Sequence, residues 1–254
     1  MLQKPLCLKT DHFVNQGVVT SFAKGLDGIV KNINNFSDHS QPIATYGILR
    51  GTGEILKKSR NFFYIDHGYF DSSAREFLGK TYLPELNGYF RVVYNDFYHA
   101  GIGSCKSDRF DKFNIEIKPM RKNGEYIILS EPSKDIYRFF NLGDWVNNTI
   151  KEIEKYSDRK ILIHNKHSPT PLEKLLEKAW AFVSAQSMAG LKAMIAGVPA
   201  HYTNKTLKKI NSLEEIESGK INHNIFSNLA YGQWLRKEME SGEAWEFIKQ
   251  NLIV

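Results

Sequence analysis

The sequence predicts an α/β protein built on parallel sheets and divided into two domains. Three observations lead there. Short apolar runs alternate with helical patterns along the chain, which is the strand–helix–strand cadence of a parallel sheet. The second half places polar loops after the carboxyl ends of its strands, where open α/β sheets bind ligands. The 254 residues, 42% of them hydrophobic, suffice for one large or two modest cores.

Taken in order, Pro42–Tyr46 is a short strand ending at Gly47, Thr52–Ser59 a capped helix, and Asn61-Phe-Phe-Tyr-Ile-Asp66 a buried strand. Aromatic residues crowd the stretch that follows, through Tyr69, Phe70, Phe90 and Tyr98. Their large area makes most of them core, with a minority available to stack on a base or a sugar. Residues 104–122 are basic, with Lys106, Arg109, Lys112, Lys118, Arg121 and Lys122 against Asp108, Asp111 and Glu116. That stretch reads as a solvated connector or as a phosphate contact. It also holds the domain boundary, so the first domain covers 1–115 and the second 116–254.

In the second half Glu125–Leu129 is a strand, followed by the polar loop Ser130-Glu-Pro-Ser-Lys134. Asp144–Ile153 is an amphipathic helix, and Lys160–Ile163 a strand with His164-Asn-Lys-His-Ser168 at its end. Leu172, Leu175, Leu176 and Ala179 repeat at helical spacing. Trp180–Val183 is the next strand, Ala185-Gln-Ser187 a polar loop, and the run to Ile195 a helix of small residues, stopped at Gly197 before a strand at Val198–Ala200. The tail from Asn224 is helical in pattern, broken at Ser241-Gly242, with Trp234, Trp245, Phe247 and Ile248 on its apolar face.

A net charge of +6 favours a polyanionic partner, although many ordinary enzymes are mildly basic. Cys7 and Cys105 are too few for a disulfide framework and have no metal spacing. No apolar run is long enough to cross a bilayer, and the first residues lack the core of a signal peptide. A cytoplasmic protein is expected.

Several loops carry candidate chemistry. The start of the Ser187 helix exposes free amides and a positive dipole end, which suit phosphate; a plain Ser N-cap is the other reading. Gly190 and Ala189 leave room for a ligand close to the backbone. Gly47-Ile-Leu-Arg-Gly51-Thr-Gly53 lacks the Gly-Lys-Ser/Thr of a triphosphate loop. It remains a tight turn where a ligand can approach, with Arg50 either facing that ligand or lying on the surface. Asp66 and His67 end an apolar strand, as turn residues or as a general-base pair. On an extended segment His164 and His167 point to opposite faces and have no carboxylate or Cys beside them, a poor metal pair. Lys166 is either a point charge for a diphosphate or an exposed lysine. Ser130 and Ser133 hold phosphate or turn the chain into the next helix.

The order of these motifs resembles the GT-B glycosyltransferases, in particular their capsule-type and phage-type members. The resemblance rests on Ser187-x4-Lys192-Ala-x3-Gly197-x-Pro199; on Tyr46-Gly-Ile-Leu-Arg-Gly51 with Tyr64-Ile-Asp-His-Gly-Tyr-Phe70; on Asp158-Arg-Lys-Ile-Leu-Ile-His-Asn-Lys166; and on Asn228-Leu-Ala-Tyr-Gly-Gln-Trp234 with Gly242-Glu-Ala-Trp245. It implies two compact Rossmann-like domains facing a cleft, with the final helices crossing back to the first. A nucleotide diphosphate sugar, UDP-linked, would bind the C-terminal domain and a hydroxyl acceptor the N-terminal one. Carried over by position, Ser187 and Lys166 hold the diphosphate, Ser130 and Ser133 flank it, and Gln186, Met188 and Lys192 complete the donor side. Asp66, with His67, supplies the base, and Arg50, Gly51, Tyr69 and Arg109 meet the acceptor.

The resemblance implies no metal and no other cofactor, because helix dipole and basic side chains offset the leaving-group charge. Two departures stand out. Many family members have Glu where Lys192 stands, and Lys cannot accept hydrogen bonds from a ribose. A basic residue is also missing at His164. The short, basic chain matches phage enzymes that glycosylate 5-hydroxymethylcytosine in double-stranded DNA, which flip the target base. A capsule or surface-polysaccharide transferase and a non-catalytic nucleic-acid-binding protein are the alternatives.

Overall fold

The computed structural model describes residues 2–38, 40–72, 75–78, 81–84, 86–98, 103–207, 211–218 and 220–251. The chain forms two compact units, residues 1–113 with 224–254, and residues 114–223. Both are α/β, the first with a mixed main sheet and the second with a parallel one.

The first unit opens with β1 (Leu6–Lys9), α1 (Phe13–Gly25) and β2 (Val30–Asn32), then β3 (Ile43–Tyr46), α2 (Thr52–Lys58) and β4 (Phe62–His67). A hairpin follows, β5 (Arg75–Leu78) and β6 (Thr81–Pro84), then β7 (Phe90–Tyr94) and the short α3 (Asp108–Asp111). The second unit holds β8 (Tyr126–Ser130), α4 (Lys134–Phe140), α5 (Trp145–Ile153), β9 (Lys160–His164), α6 (Leu172–Leu176), β10 (Ala179–Ser184), α7 (Ala189–Ile195) and β11 (Ala200–Tyr202). The chain then returns to the first unit through α8 (Asn224–Ala230), β12 (Gln233–Trp234), α9 (Arg236–Glu240) and α10 (Glu243–Asn251).

In the first unit the sheet order is β12-β7-β4-β3-β1-β2, with β2, β1, β3 and β4 parallel and β7 antiparallel to both β4 and β12. One face packs on α1, α9 and α10 through Val18, Phe22, Phe63, Phe90, Trp234 and Trp245. Leu8, Ile43, Leu56 and Tyr64 line the other. Alternation along β4 therefore sends Phe63 and Ile65 to the α1 face and Tyr64 to the α2 face. Among the described residues of this region, Phe63, Tyr64, Tyr69, Phe70, Phe90 and Tyr98 are core, as their area requires.

The second unit has the order β11-β10-β8-β9, all parallel. Ile127, Leu129, Ala181 and Val183 pack on Trp145 and Ile153 of α5.

Each unit thus repeats one winding. The second strand lies on one side of the first, and the third and fourth on the other. The reversal leaves a switch point between β1 and β3, and between β8 and β10.

Four boundaries differ from the sequence reading. The tail belongs to the first unit and not to the domain drawn as 116–254, because its apolar residues fill the α1 face of that sheet. It also contains a strand, β12, which pairs with β7. Ala179, the fourth member of the helical repeat, opens β10, since α6 ends at Leu176. The strand expected at Val198–Ala200 runs from Ala200 to Tyr202.

Candidate active site

In the first unit the switch point is plugged. Asn15, buried in the first turn of α1, accepts from the Thr10 amide through Oδ1 (2.8 Å) and donates through Nδ2 to the Tyr46 carbonyl (3.0 Å). One side chain thus ties the ends of β1 and β3. One strand further along, Tyr46 Oη stands 3.1 Å from His67 Nε2. Their rings meet edge to face, and His67 stacks on Phe90, its ladder partner in β7. Tyr46 and His67 are both half-buried.

Asp66 and His67 do not act as one pair, because neighbours on a strand point to opposite faces. Asp66 turns to the face of Tyr64. Its Oδ2 accepts from the Tyr64 hydroxyl and from Arg91 Nη2 (3.1 Å), and its Oδ1 from the His67 amide (2.8 Å). Burial works most strongly against the Arg91 charge, but the facing Asp66 together with Tyr64, Tyr69 and Tyr98 offsets it and holds the guanidinium above its ordinary value. Burial, then the Asp66 charge, raises the Tyr64 phenol, which stays a donor. Asp66 is therefore an ion-paired carboxylate that accepts three hydrogen bonds, while the His67 imidazole meets the Tyr46 hydroxyl.

The acceptor-side residues separate. Arg50 and Gly51 are exposed in the loop after β3, both with left-handed backbone (φ 59° and 87°), and Thr52 Oγ1 bonds the Gly47 and Leu49 carbonyls beneath them. That loop is open to a ligand. Tyr69 is not: its ring is buried and its hydroxyl donates to the Tyr98 carbonyl. Arg109 is consumed as well. It donates to both carboxylate oxygens of Glu238 (3.1 Å each) and to the Ala230 and Gln233 carbonyls, with its guanidinium 4.5 Å from the Trp234 ring centre. It clamps the returning tail with four of its five N–H groups, and Nη1 also lies 3.7 Å from Glu243 Oε1.

In the second unit the loops at the sheet edge are tied in two pairs. Asn165 Nδ2 donates to Glu131 Oε2 (2.9 Å), joining the loops after β9 and β8. Asn204 Nδ2 donates to Gln186 Oε1 (3.1 Å), joining the loops after β11 and β10. Among the described residues no side-chain hydrogen bond crosses from the loop after β8 to the loop after β10. The gap in this bonding lies at the switch point between β8 and β10. Ser130 and Ser184 are ladder partners at its floor, and Gln186, Ser187 and Met188 form one wall.

Several donor-side expectations change here. Ser133 is the N-cap of α4, its Oγ accepting from the Ile136 amide (3.4 Å). The start of α7 is largely satisfied from within. The Ser187 amide donates to Ser184 Oγ (3.1 Å), Ala189 to Ser187 Oγ (3.1 Å), Gly190 to the Ser187 carbonyl and Leu191 to the Met188 carbonyl. A phosphate there would meet hydroxyls more than free amides. Gly190 makes room for protein and not for ligand, since a Cβ on it would lie 2.2 Å from the buried Tyr202 Oη. Lys166 is exposed in the loop after β9. Lys192 is exposed too, with its Nζ 2.9 Å from Glu173 Oε1. The hydrogen bond from Lys192 holds the Glu173 carboxyl below its ordinary value, so a carboxylate does stand beside this position.

Burial raises both thiols, pushing Cys7 up to about 12, so neither is a ready nucleophile. Among the described residues no three His, Cys, Asp or Glu side chains group as metal ligands. No described helix is long and apolar enough to cross a membrane.

Fold and edge chemistry together define a protein of two Rossmann-type units, one whose switch point no side-chain hydrogen bond spans among the described residues and one with a Tyr–His pair. No protein-family model matches the chain, and no curated protein matches it in sequence. Among solved structures it is similar to the KpsC β-Kdo 2,4 transferase of Thermosulfurimonas dismutans, with 11% identity over 91% of each chain and a TM-score of 0.48.

Proposed function

We propose that this protein is a glycosyltransferase of the GT-B kind, moving a sugar from a nucleotide diphosphate donor to a hydroxyl acceptor. The observation that carries the reading is the asymmetry of the two switch points. Asn15 bridges the first, while among the described residues no side-chain hydrogen bond spans the second, between Ser130 and the Gln186–Met188 wall. The donor belongs to this unbridged switch point, with its diphosphate met by the Ser130 and Ser187 hydroxyls and the Lys166 ammonium. A UDP-sugar is the donor we assign, with Glu173 beside Lys192 as the carboxylate for its ribose. No metal is required, because the lysine charge offsets the charge left on the diphosphate.

The acceptor belongs to the first unit, at Tyr46 and His67. As the acceptor oxygen attacks the anomeric carbon, its proton passes to Tyr46 Oη and the phenol proton to His67 Nε2. The bond from the sugar to the diphosphate breaks, and the nucleoside diphosphate departs with the electron pair. Such a direct displacement inverts the anomeric centre. Imidazole suits the task because its ordinary titration range spans neutral pH.

A glycan hydroxyl is the acceptor we place first. The net charge of +6 and the exposed Lys106, Lys112, Lys118 and Lys122 favour a second reading, 5-hydroxymethylcytosine in duplex DNA. That reading has lost two of its supports, since Tyr69 is buried and Arg109 is clamped to Glu238. The deciding experiment incubates the protein with radiolabelled UDP-sugars and, separately, soluble glycans, hydroxymethylated DNA and plain DNA. Label in glycans is expected. Label in hydroxymethylated DNA alone selects the second reading. No transfer, together with no UDP binding by calorimetry, overturns the assignment.

A further inference from the structure

The ion pair between Arg91 and Asp66 does more than join two strands. The antiparallel register of β4 and β7 sets Asp66 opposite Arg91 and His67 opposite Phe90. Asp66 Oδ1 accepts from the His67 amide (2.8 Å), Arg91 Nη1 donates to the His67 carbonyl (3.1 Å), and Arg91 Nη2 closes the ring onto Asp66 Oδ2 (3.1 Å). Both polar groups of the His67 backbone are thus gripped from one face of the sheet, while the imidazole works on the other. Tyr64 and Tyr69 flank the guanidinium, 5.5 and 5.7 Å from their ring centres. Arg91 Nε is buried without a partner among the described residues.

This arrangement is costly. The Arg91 and Asp66 side chains are only 10% and 24% exposed, and an apolar pair of similar volume holds two strands at least as well as a buried ion pair. An apolar pair cannot grip a peptide at its N–H and its C=O together. Lysine cannot either, because only the planar guanidinium reaches two acceptors with separate nitrogens at fixed geometry.

We infer that Arg91 is a positioning residue for the proposed transfer, acting with Asp66 to hold the His67 peptide so that Nε2 stays in reach of Tyr46 Oη. The inference rests on the reading of His67 as the terminal proton acceptor, and its test separates the two. Arg91→Lys keeps the charge opposite Asp66 and loses the fork. It is expected to lower kcat roughly tenfold or more, as small misplacements of a reacting group do, with donor KM within about twofold. In a His67→Gln background the same change is expected to cost nothing further, because its effect runs through the missing imidazole. Equal losses in both backgrounds, or none in either, overturn the positioning role. Full activity of His67→Gln alone overturns the base reading instead.

A readout independent of turnover is the ring-nitrogen NMR spectrum of histidine-labelled protein. Arg91→Lys should move the His67 signals, identified by their loss in His67→Gln, and leave the other seven histidines of the chain unmoved. Unmoved His67 signals count against the inference whatever the activity. If Arg91→Lys fails to fold, Asp66→Asn, which keeps an oxygen for the His67 amide and loses the charge, is put through both measurements with the same expected outcomes.

Discussion

Tyr46 and His67 end adjacent parallel strands, and the phenol oxygen of one lies 3.1 Å from Nε2 of the other. Two groups that exchange a proton in sequence fail together. Tyr46→Phe and His67→Gln should each lower kcat by roughly 10²- to 10⁴-fold, the range general-base groups contribute, and the double variant should be little worse than either single one. Steady-state kinetics with circular dichroism as a folding control checks this. Multiplied losses would show two independent roles.

Gly190 is expected to tolerate no side chain, since a methyl on it would lie 2.2 Å from Tyr202 Oη and 2.9 Å from Cζ of a fully buried ring. Gly190→Ala should destabilise the second unit by about 1–3 kcal/mol, as overpacked cores do. Adding Tyr202→Phe should recover part of the loss. Urea denaturation of the single and double variants measures it, and an Ala variant as stable as the parent rules out the close approach.

Arg109 and Glu238 are 10% and 16% exposed and paired through two nitrogens and two oxygens. Removing the cation leaves a buried carboxylate that also caps α9 through the Leu235 amide (2.7 Å). Arg109→Ala should cost about 3–5 kcal/mol, measured by guanidinium denaturation. Arg109→Lys should also lose stability, because one ammonium cannot serve Glu238 and the Ala230 and Gln233 carbonyls together.

His201 makes the second unit sensitive to acid. Its Nδ1 lies 2.7 Å from the Ser212 carbonyl, which can only accept, so Nδ1 carries the proton. Nε2 is a buried lone pair without a partner among the described residues. Burial lowers the group below its ordinary value of 6.5, and the Ser212 carbonyl offsets this only in part. The unfolded chain therefore binds the proton at higher pH than the folded one. This contribution to stability is complete above pH 6.5 and is lost as pH falls towards the folded value, by up to about 1.4 kcal/mol per pH unit. Urea unfolding at a series of pH values should show the slope, and His201→Asn, which keeps a donor near Nδ1, should flatten it.

The sequence made some of this legible and hid the rest for physical reasons. Strands β3, β4, β8, β9 and β10 stand out because each is a short apolar run bounded by Gly or polar residues. Helix α5 stands out because its apolar residues recur on one face. The first β-α-β stays hidden. Phe-Val-Asn-Gln-Gly-Val-Val-Thr-Ser-Phe-Ala-Lys-Gly carries β-branched residues and glycines that favour helix weakly. It packs on the sheet and on two tail helices at once, which erases a one-sided pattern. Helix position thus kept Asn15, the plug of the first switch point, out of view.

At the site, the Asp66-His67 dipeptide was visible, but its division of labour needs strand alternation and the register that brings Arg91 opposite. Tyr69 and Arg109 were chosen by residue type. Type alone cannot tell a ligand contact from a core ring or a clamp.

The return of the chain to the first unit sets an order of events during synthesis. The sheet of that unit lacks β12, and its core lacks Trp234 and Trp245, until the whole of the second unit has been made. Residues 114–223, by contrast, are contiguous and carry every strand of their own sheet. A ribosome therefore delivers the later unit ready to close while the earlier one still waits with an open apolar face. The nascent first unit is the part of this chain whose apolar surface stays exposed longest, where aggregation competes with folding.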